Sequence, residues 1–120
     1  MIFFVDCETT GTDYWRNEIL TKSLVVTDYD LKILEIETFK FRPEFDTWDR
    51  ESERIHGITY NEASTFGDKR SAYTDMLEFI ESFGSNHMYV CHAFPMFGKL
   101  DYFDYQFSFS PVRDDILCLL

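Results

Sequence analysis

The spacing of apolar residues predicts three strands in the amino-terminal third of the chain. Residues 2–5 form a short apolar run that leads into a turn-forming stretch at residues 9–12, as is typical of a buried strand. Residues 19–28 and 34–41 are rich in β-branched and apolar side chains, and they flank a turn-forming sequence at residues 28–30. We therefore expect a three-strand antiparallel meander.

The centre of the chain predicts one clear helix. Four apolar residues repeat at i, i+3, i+4 and i+7 and so share one helix face: Tyr73, Met76, Leu77 and Ile80. Ser71 is a candidate N-cap, and Gly84 follows the helix end. The preceding residues 42–68 are irregular and polar, which favours a long loop or short helices.

A fourth strand is predicted directly after the helix. The apolar run at residues 88–91 is expected to form a strand parallel to the first, because a helical crossover joins the two. Residues 100–107 are compatible with a second helix, and residues 114–120 with the beginning of a third. The fold class is therefore α/β, with a mixed sheet of three antiparallel strands and one parallel strand.

Composition and charge exclude several classes of protein. A length of 120 residues suits one domain, and 45% apolar with 18% aromatic residues excludes global disorder. The net charge of −11 repels polyanions, so a nucleic-acid partner would require a local cation such as a bound metal ion. No apolar stretch is long enough for a membrane span, and we expect a cytoplasmic protein without membrane contact.

Several residues have an ordinary structural interpretation. Cys7, Cys91 and Cys118 contain no Cys-x-x-Cys pair, and buried thiols are expected at these positions. His87 lies in a predicted turn and is expected at the surface. Three aromatic residues are either core residues or platforms for stacking on bases, namely Phe66, Phe94 and Phe97.

Asp6 and Glu8 are the strongest candidates for chemistry. They stand two residues apart at the end of the first strand, so both side chains point to the same side of the sheet at its carboxyl edge. Two neighbouring carboxylates repel each other unless a cation neutralises them. Mg²⁺ and Mn²⁺ prefer carboxylate and water ligands and can also bind a phosphate, so the pair predicts a divalent-cation site.

Three sequence landmarks resemble one protein family. Residues 3–11, Phe-Phe-Val-Asp-Cys-Glu-Thr-Thr-Gly, resemble the first motif of the DEDD superfamily of 3′→5′ exonucleases, which includes the epsilon-type proofreading subunits. Residues 55–59, Ile-His-Gly-Ile-Thr, are similar to a substrate-facing loop of this family, and residues 90–93 to the strand end that opens its second acidic motif. The resemblance implies an RNase H-like fold.

The same resemblance implies roles for individual residues. Asp6 would bridge two metal ions, Mg²⁺ or Mn²⁺, and Glu8 would hold the ion that carries the attacking water. Thr9, Thr10 and Gly11 would approach the 3′-terminal nucleotide, with a side-chain contact expected from Thr10. His56 and Ile58 would contact the terminal sugar or base, and His92 is a further candidate for substrate binding.

The second and third acidic motifs depart from the family pattern. The expected Phe-Asp pair recurs only at Phe103-Asp104, after an insertion of about six residues, and Asp104 is assigned as the catalytic ligand of the second metal ion, with Asp101 as the alternative. The His or Tyr and the fourth Asp of the family are not found. Residues 1–120 are therefore expected to form a single exonuclease-like domain that is truncated before its C-terminal helix, and a second copy or another chain would complete it.

Two functions follow from the sequence. The first is a metal-dependent 3′→5′ exonuclease that hydrolyses single-stranded DNA, or RNA, to nucleoside 5′-monophosphates, with DNA favoured by the proofreading resemblance. The alternative is a catalytically degenerate nuclease fold that serves nucleic-acid binding or protein interaction. The intact Asp6-x-Glu8 pair favours chemistry, whereas the missing third motif favours binding.

Overall fold

The computed structural model describes residues 1–13, 16–44, 47–92 and 115–119. These residues form a five-stranded sheet in the order β3-β2-β1-β4-β5, together with three helices. The elements in chain order are β1 (Ile2–Thr9), β2 (Ile19–Thr27), β3 (Ile33–Lys40), α1 (Arg50–His56), α2 (Tyr60–Ala63), α3 (Lys69–Glu81), β4 (Met88–His92) and β5 (Asp115–Leu119). None of the helices in these ranges has the length and apolar character that a membrane crossing demands.

The predicted antiparallel meander is confirmed. Strand β1 pairs antiparallel with β2, and β2 pairs antiparallel with β3. The turn between β2 and β3 is stabilised by the carboxylate of Asp28, which accepts hydrogen bonds from the N–H groups of Asp30 and Lys32, both at 2.9 Å. A short acidic side chain can bond in this way to its own backbone, which explains why the sequence at residues 28–30 breaks the strand pattern.

Helix α3 covers one face of the sheet. Three of the four residues of the predicted helical repeat are buried with Phe3 and Val5 of β1 in the main core, namely Tyr73, Met76 and Ile80, and the fourth, Leu77, is half-buried. Burial of such a side chain stabilises the fold by about 1.5–3 kcal/mol. Cys91 is also buried in this core and Cys7 is half-buried beside it, whereas the side chain of Cys118 lies outside the described part of the structure.

The N-cap of α3 differs from the predicted one. The helix begins at Lys69, and its cap is Asp68, whose carboxylate accepts hydrogen bonds from the backbone N–H of Ser71 at 3.0 Å and from its hydroxyl at 3.3 Å. Ser71 is therefore inside the first turn as a donor. The apolar repeat starts only at Tyr73, so the polar first turn could not be located from the periodicity alone.

The parallel half of the sheet confirms one prediction and corrects another. Strand β4 pairs parallel to β1, as expected, with Val5 opposite Cys91. The predicted helix over residues 114–120 is wrong, since residues 115–119 form β5, parallel to β4. A short apolar run fits a buried strand as well as a helix, and pairing with β4 decides between them. The predicted helix at residues 100–107 lies outside the described residues.

A second, smaller core lies between β2 and the segment that precedes α3. Its buried residues are Leu20, Ala63 and Phe66, against which Trp48 and Ile58 pack. Phe66 is therefore a core residue and not a platform for bases, whereas Phe94 and Phe97 lie outside the described residues. The irregular segment predicted as a loop or short helices contains the two short helices α1 and α2.

His87 is buried, contrary to the prediction of a surface position. Its ring is 4% exposed and lies edge-on to the ring of Phe3, with 4.7 Å between the centroids. Its Nε2 is 2.9 Å from the carbonyl oxygen of Gly84. Gly84 and Asn86 both have positive φ, at 88° and 64°, and this tight turn folds the imidazole back onto β1. The sequence indicates the turn but not its direction.

Candidate active site at the carboxyl edge of the sheet

Asp6 and Glu8 lie on the sheet face opposite α3. Phe3 and Val5 point into the main core, and the alternation of side chains along β1 therefore directs Asp6 and Glu8 to the other face. In β2 they are paired with Ser23 and Thr21. Asp6 is exposed and Glu8 is half-buried, so both carboxylates are within reach of a ligand at this face.

The carboxylates of Asp6 and Glu8 form neither an ion pair nor a hydrogen bond within the described part of the chain. Two acidic groups on the same side of one strand leave a local negative charge that favours a cation. Oxygen donors of this kind suit hard divalent ions such as Mg²⁺ and Mn²⁺. Among the described residues no group of three or more His, Cys, Asp or Glu side chains could hold a metal ion. Asp6 and Glu8 can supply two carboxylate ligands, and their role in metal binding stays a prediction.

The parallel strands bring further candidate residues to this edge. In β1 and β4 the pairing of Val5 with Cys91 is followed by Asp6 and His92, so these two positions are neighbours at the carboxyl ends of their strands. Strand β4 ends at this edge with His92. Asp101 and Asp104 lie outside the described residues, as does the side chain of His92, and their predicted roles stay predictions.

The segment that follows Glu8 is held by the hydroxyl of Thr10. Thr10 is completely buried, and its Oγ1 accepts hydrogen bonds from the backbone N–H of Glu18 at 2.9 Å and from Nδ2 of Asn17 at 3.2 Å. Its own N–H donates to the carbonyl of Glu18 at 2.8 Å. This side chain therefore fastens the loop, and its expected contact with a nucleotide stays a prediction.

Gly11 lies against the side chain of Asn17. A Cβ at this position would lie 2.5 Å from Oδ1 of Asn17, closer than any real contact. That oxygen accepts a hydrogen bond from the N–H of Asp13 at 2.9 Å, so the Asn17 side chain is already held in place. The neighbouring Thr9 hydroxyl donates to the carbonyl of Gly11 at 2.7 Å. The absence of a side chain thus makes room for Asn17.

Glu18 joins this loop to the rest of the structure. Its side chain is 5% exposed, and Oε1 lies 2.8 Å from Nζ of Lys69, at the first residue of α3. The carboxylate also accepts hydrogen bonds from the N–H of Glu44 at 3.1 and 3.2 Å. Asn17 and Glu18 could not be recognised as loop-holding residues from the sequence, because partners up to 51 residues apart leave no local pattern.

Helix α1 is attached directly to the loop after β1. The N–H of Asp49 donates to the carbonyl of Thr10 at 2.8 Å, while the Asp49 carboxylate caps α1 by accepting from the N–H of Glu51 at 3.0 Å. A capping residue of this type fixes where its helix starts. The Asp6-Glu8 strand end and the predicted substrate-facing segment at residues 55–59 are thus connected through Thr10 and Asp49.

His56 and Ile58 both take part in local packing. Nδ1 of His56 accepts a hydrogen bond from the N–H of Ile58 at 2.9 Å, across Gly57, whose φ is 73°. Within the described residues, Nε2 of His56 is buried and makes no hydrogen bond. Ile58 is half-buried against the smaller core, whereas its neighbour Ile55 is 76% exposed. Contact of His56 and Ile58 with a substrate stays a prediction.

A cleft of about 400 Å³ lies where the loop and α1 meet. Asp13 and Asn17 line it from the loop side, and Thr47, Trp48 and Asp49 line it from the segment before α1. Arg16 lies at its rim and contributes a positive charge. A polar cleft beside the Thr9–Gly11 loop has the composition to accept a polar ligand, and it was not anticipated from the sequence.

Comparison with known proteins identifies the family and the fold. The sequence profile of the family RNase_T, described as exonuclease, matches residues 3–120. No curated protein sequence is similar enough to count as a match. The fold resembles E. coli exonuclease I in complex with a dA13 oligonucleotide, with a TM-score of 0.77 and 20% sequence identity over 99% of this chain and 28% of that chain.

Two other solved structures give the same result. The zinc-bound form of the E. coli exonuclease I complex with single-stranded DNA has a TM-score of 0.76 and 20% identity over 98% of this chain and 27% of that chain. Exonuclease I from Methylocaldum szegediense has a TM-score of 0.75 and 20% identity over 99% and 27%. These similarities confirm the RNase H-like mixed sheet, while the chain spans less than a third of the length of those proteins.

Proposed function

The chain belongs to the exonuclease family RNase_T, and we propose that it is a metal-dependent 3′→5′ exonuclease. In this proposal residues 1–120 act as a single domain that hydrolyses phosphodiester bonds at the 3′ ends of single-stranded DNA and releases nucleoside 5′-monophosphates. The observation that carries the proposal is the position of Asp6 and Glu8. Both project from the carboxyl end of the central region of the sheet on the face that α3 leaves uncovered.

Asp6 and Glu8 are proposed to hold the metal ions, with Asp104 as the third ligand. When bound, two Mg²⁺ or Mn²⁺ ions would supply Lewis-acid stabilisation of the phosphate oxygens and lower the pKa of an attacking water. The backbone that carries the two carboxylates is held in the sheet, because β1 pairs with β2 through Asp6 and Glu8 and with β4 up to Val5. Preorganised ligands of this kind require little rearrangement when the substrate binds.

Thr9, Thr10 and Gly11 are proposed to approach the terminal nucleotide. The loop that they form is held directly after Glu8 by the bonds of Thr10 to Glu18 and Asp49. The net charge of −11 repels DNA, and binding is therefore expected to depend on the metal site and on these directed contacts. His56, Ile58 and His92 are proposed as additional contacts to the terminal sugar or base.

The substrate proposal also draws on the relatives. Structures of exonuclease I are in complex with dA13 and dT13 oligonucleotides, and one contains SSB. We therefore propose single-stranded DNA in preference to RNA. The direct test is digestion of matched DNA and RNA oligonucleotides of the same sequence under the same conditions, where DNA is expected to be shortened faster.

The experiment that tests the activity uses a 5′-labelled single-stranded oligonucleotide with Mg²⁺ or Mn²⁺. The full chain is expected to give a ladder of 3′-shortened products, and the double variant Asp6→Ala/Glu8→Ala is expected to give none. A double variant with the same loss of charge, Glu62→Ala/Glu81→Ala, changes two exposed helical carboxylates and serves as the matched control that retains activity.

The alternative of a catalytically degenerate module gives a different result in the same experiment. The oligonucleotide would stay intact with the wild-type chain, while the folded protein would still bind Mn²⁺ through Asp6 and Glu8. Binding of the metal is measured separately by calorimetry, so an inactive protein that retains the site can be distinguished from an unfolded one. Products that persist in the Asp6→Ala/Glu8→Ala variant would refute the assignment of these residues.

A further inference from the structure

Strand β3 has an open edge. In the described residues it pairs with β2 on one side and ends the sheet on the other, so part of its backbone N–H and C=O groups has no partner strand. Exposed large apolar side chains are concentrated on this hairpin. Of the seven found in the described part of the chain, five lie between residues 29 and 36: Tyr29, Leu31, Ile33, Leu34 and Ile36.

A groove with acidic walls runs between this edge and α3. It has a volume of about 700 Å³, and its floor includes the aromatic rings of Phe39 and Phe79, which contact each other edge-on with 5.6 Å between centroids. Glu37 from β3 and Asp75 and Glu78 from α3 line its sides.

Of the four carboxylates that line this groove, Asp68 lies 4.0 Å from the guanidinium of Arg42 and the other three are not neutralised. Glu37, Asp75 and Glu78 form no ion pair in the described part of the structure. The only Lys or Arg among the described lining residues is Lys40, whose Nζ lies 5.5 Å from the ring centroid of Phe66. A cationic side chain that entered the groove would therefore meet three carboxylates without displacing an existing partner.

The two faces of the β3 edge differ in character. Glu35 and Glu37 are paired with Val26 and Leu24, which point into the main core, so both glutamates are on the α3 side. Ile36 is paired with Val25 and lies on the opposite face, where it is 56% exposed. A strand added to this edge would present alternate side chains to an acidic face and to an apolar face.

We propose that the β3 edge binds an extended segment of a partner protein in which Lys or Arg alternates with aliphatic residues. The backbone of the segment adds a strand to the sheet, its cations face Glu37, Asp75 and Glu78, and its aliphatic side chains cover Ile36. A second copy of this chain is disfavoured, because antiparallel pairing of two β3 strands brings Glu35 and Glu37 of both copies close together. This inference is independent of the proposed nuclease activity.

The test measures binding of a short fluorescent peptide of alternating Lys and Val to the full chain by anisotropy. Two control peptides have the same length: one contains the same residues in two blocks, and the other alternates Glu with Val. Only the Lys-Val alternating peptide is expected to bind, and its binding is expected to slow hydrogen exchange of β3 amides. Equal binding of the block peptide would show that charge alone acts and would overturn the proposal.

Substitutions of two exposed residues test the acidic and the apolar face of the β3 edge separately. Glu37→Lys is expected to weaken peptide binding by about tenfold or more, because it places a like charge opposite the lysines of the peptide. Ile36→Lys is expected to have an effect of the same size, because it removes the apolar contact with the peptide. Glu81→Lys, on α3 but not in the groove, is the control expected to retain binding. All three variants are expected to retain nuclease activity, so failure of this proposal is separable from failure of the proposed function. Unchanged affinity in both test variants, or dimerisation through β3 in sedimentation experiments, would contradict it.

Discussion

The side chain of Asn17 occupies the space that a Cβ on Gly11 would need. The separation would be only 2.5 Å to Oδ1, and the same carboxamide is bonded to the N–H of Asp13 and to the hydroxyl of Thr10. Residues on both sides of the loop are thereby held together directly after Glu8. The shape of the candidate site thus depends on a polar contact that is neither a metal ligand nor part of the core.

Gly11→Ala is expected to lower the free energy of unfolding by about 1–3 kcal/mol, because Asn17 must move and lose its hydrogen bonds in a buried position. Gly67→Ala is the matched control, since nothing lies within 4 Å of a Cβ there. Urea unfolding measures both variants. The double variant Gly11→Ala/Asn17→Ala is expected to lose less free energy of unfolding than the sum of the losses in the two single variants. Strict additivity would contradict the proposed contact.

Lys69→Met is expected to lower the free energy of unfolding by about 3 kcal/mol, because it leaves the carboxylate of Glu18 buried without its cation. The side chains of this pair are 14% and 5% exposed. Arg54→Met removes the cation of the exposed Arg54–Glu51 pair on α1 and is expected to change stability by less than about 0.5 kcal/mol. Chemical denaturation of both variants provides the comparison, and equal small effects would show that the Glu18–Lys69 pair adds little.

Asp6→Asn is expected to abolish stabilisation by Mn²⁺. In the wild-type chain, Mn²⁺ at a hundred times its Kd would add about 2.7 kcal/mol through binding to the folded state. Without metal the variant is expected to be as stable as the wild type or slightly more stable, because one of two like charges is removed. Asp75→Asn, an exposed carboxylate on α3, is the control. Thermal melts with Mn²⁺ and with a chelator distinguish these outcomes, and an identical Mn²⁺ shift in Asp6→Asn would exclude Asp6 as a ligand.

The stability contribution of Asp68 is expected to depend on pH. The hydrogen bond from the N–H of Ser71 lowers the pKa of Asp68 below its usual value, with help from the Ser71 hydroxyl and the charge of Arg42 and against the opposing effect of desolvation. The folded-state pKa is depressed, so the contribution is complete above the unfolded-state pKa and is lost as the pH falls through the folded-state pKa. Asp68→Ala is therefore expected to be less stable than the wild type at neutral pH, and this difference is expected to shrink in acid.

Asp68→Asn provides the control for this titration. The amide retains an oxygen that can accept from Ser71, but it has no charge to titrate, so its stability relative to Asp68→Ala is expected to change little with pH. Melting temperatures of the three proteins between about pH 2 and pH 7 test the prediction. A constant difference between the wild type and Asp68→Ala over this range would show that the charged form is not the one that caps α3.

Elements with regular patterns could be predicted from the sequence. Strands β1 to β4 and helix α3 follow from apolar periodicity and turn residues, and the alternation along β1 places Asp6 and Glu8 on one side. The family resemblance was also carried by contiguous residues, at positions 3–11 above all. In these cases the pattern lies within one helix or strand, and its fixed repeat determines to which side each side chain points.

Other assignments required contacts between distant parts of the chain. The burial of His87 depends on the packing of its ring against Phe3. The strand at residues 115–119 forms because its backbone pairs with β4. The role of Thr10 depends on partners at Glu18 and Asp49. None of these partners follows from local spacing, because side-chain direction in turns and irregular loops obeys no period.

Most of the sheet-forming segments, the long helix and the carboxylate pair that marks the candidate site thus follow from local patterns in the sequence. The polar residues that hold that site, and the order of the strands in the described sheet, follow only from contacts in the folded chain. The physical reason is that propensity and periodicity act between near neighbours, whereas a buried hydroxyl or carboxylate must find its hydrogen-bond partners wherever the folded chain provides them. Asn17 and Glu18 have no distinctive pattern in the sequence, yet together with Thr10 they fix the loop that follows Glu8.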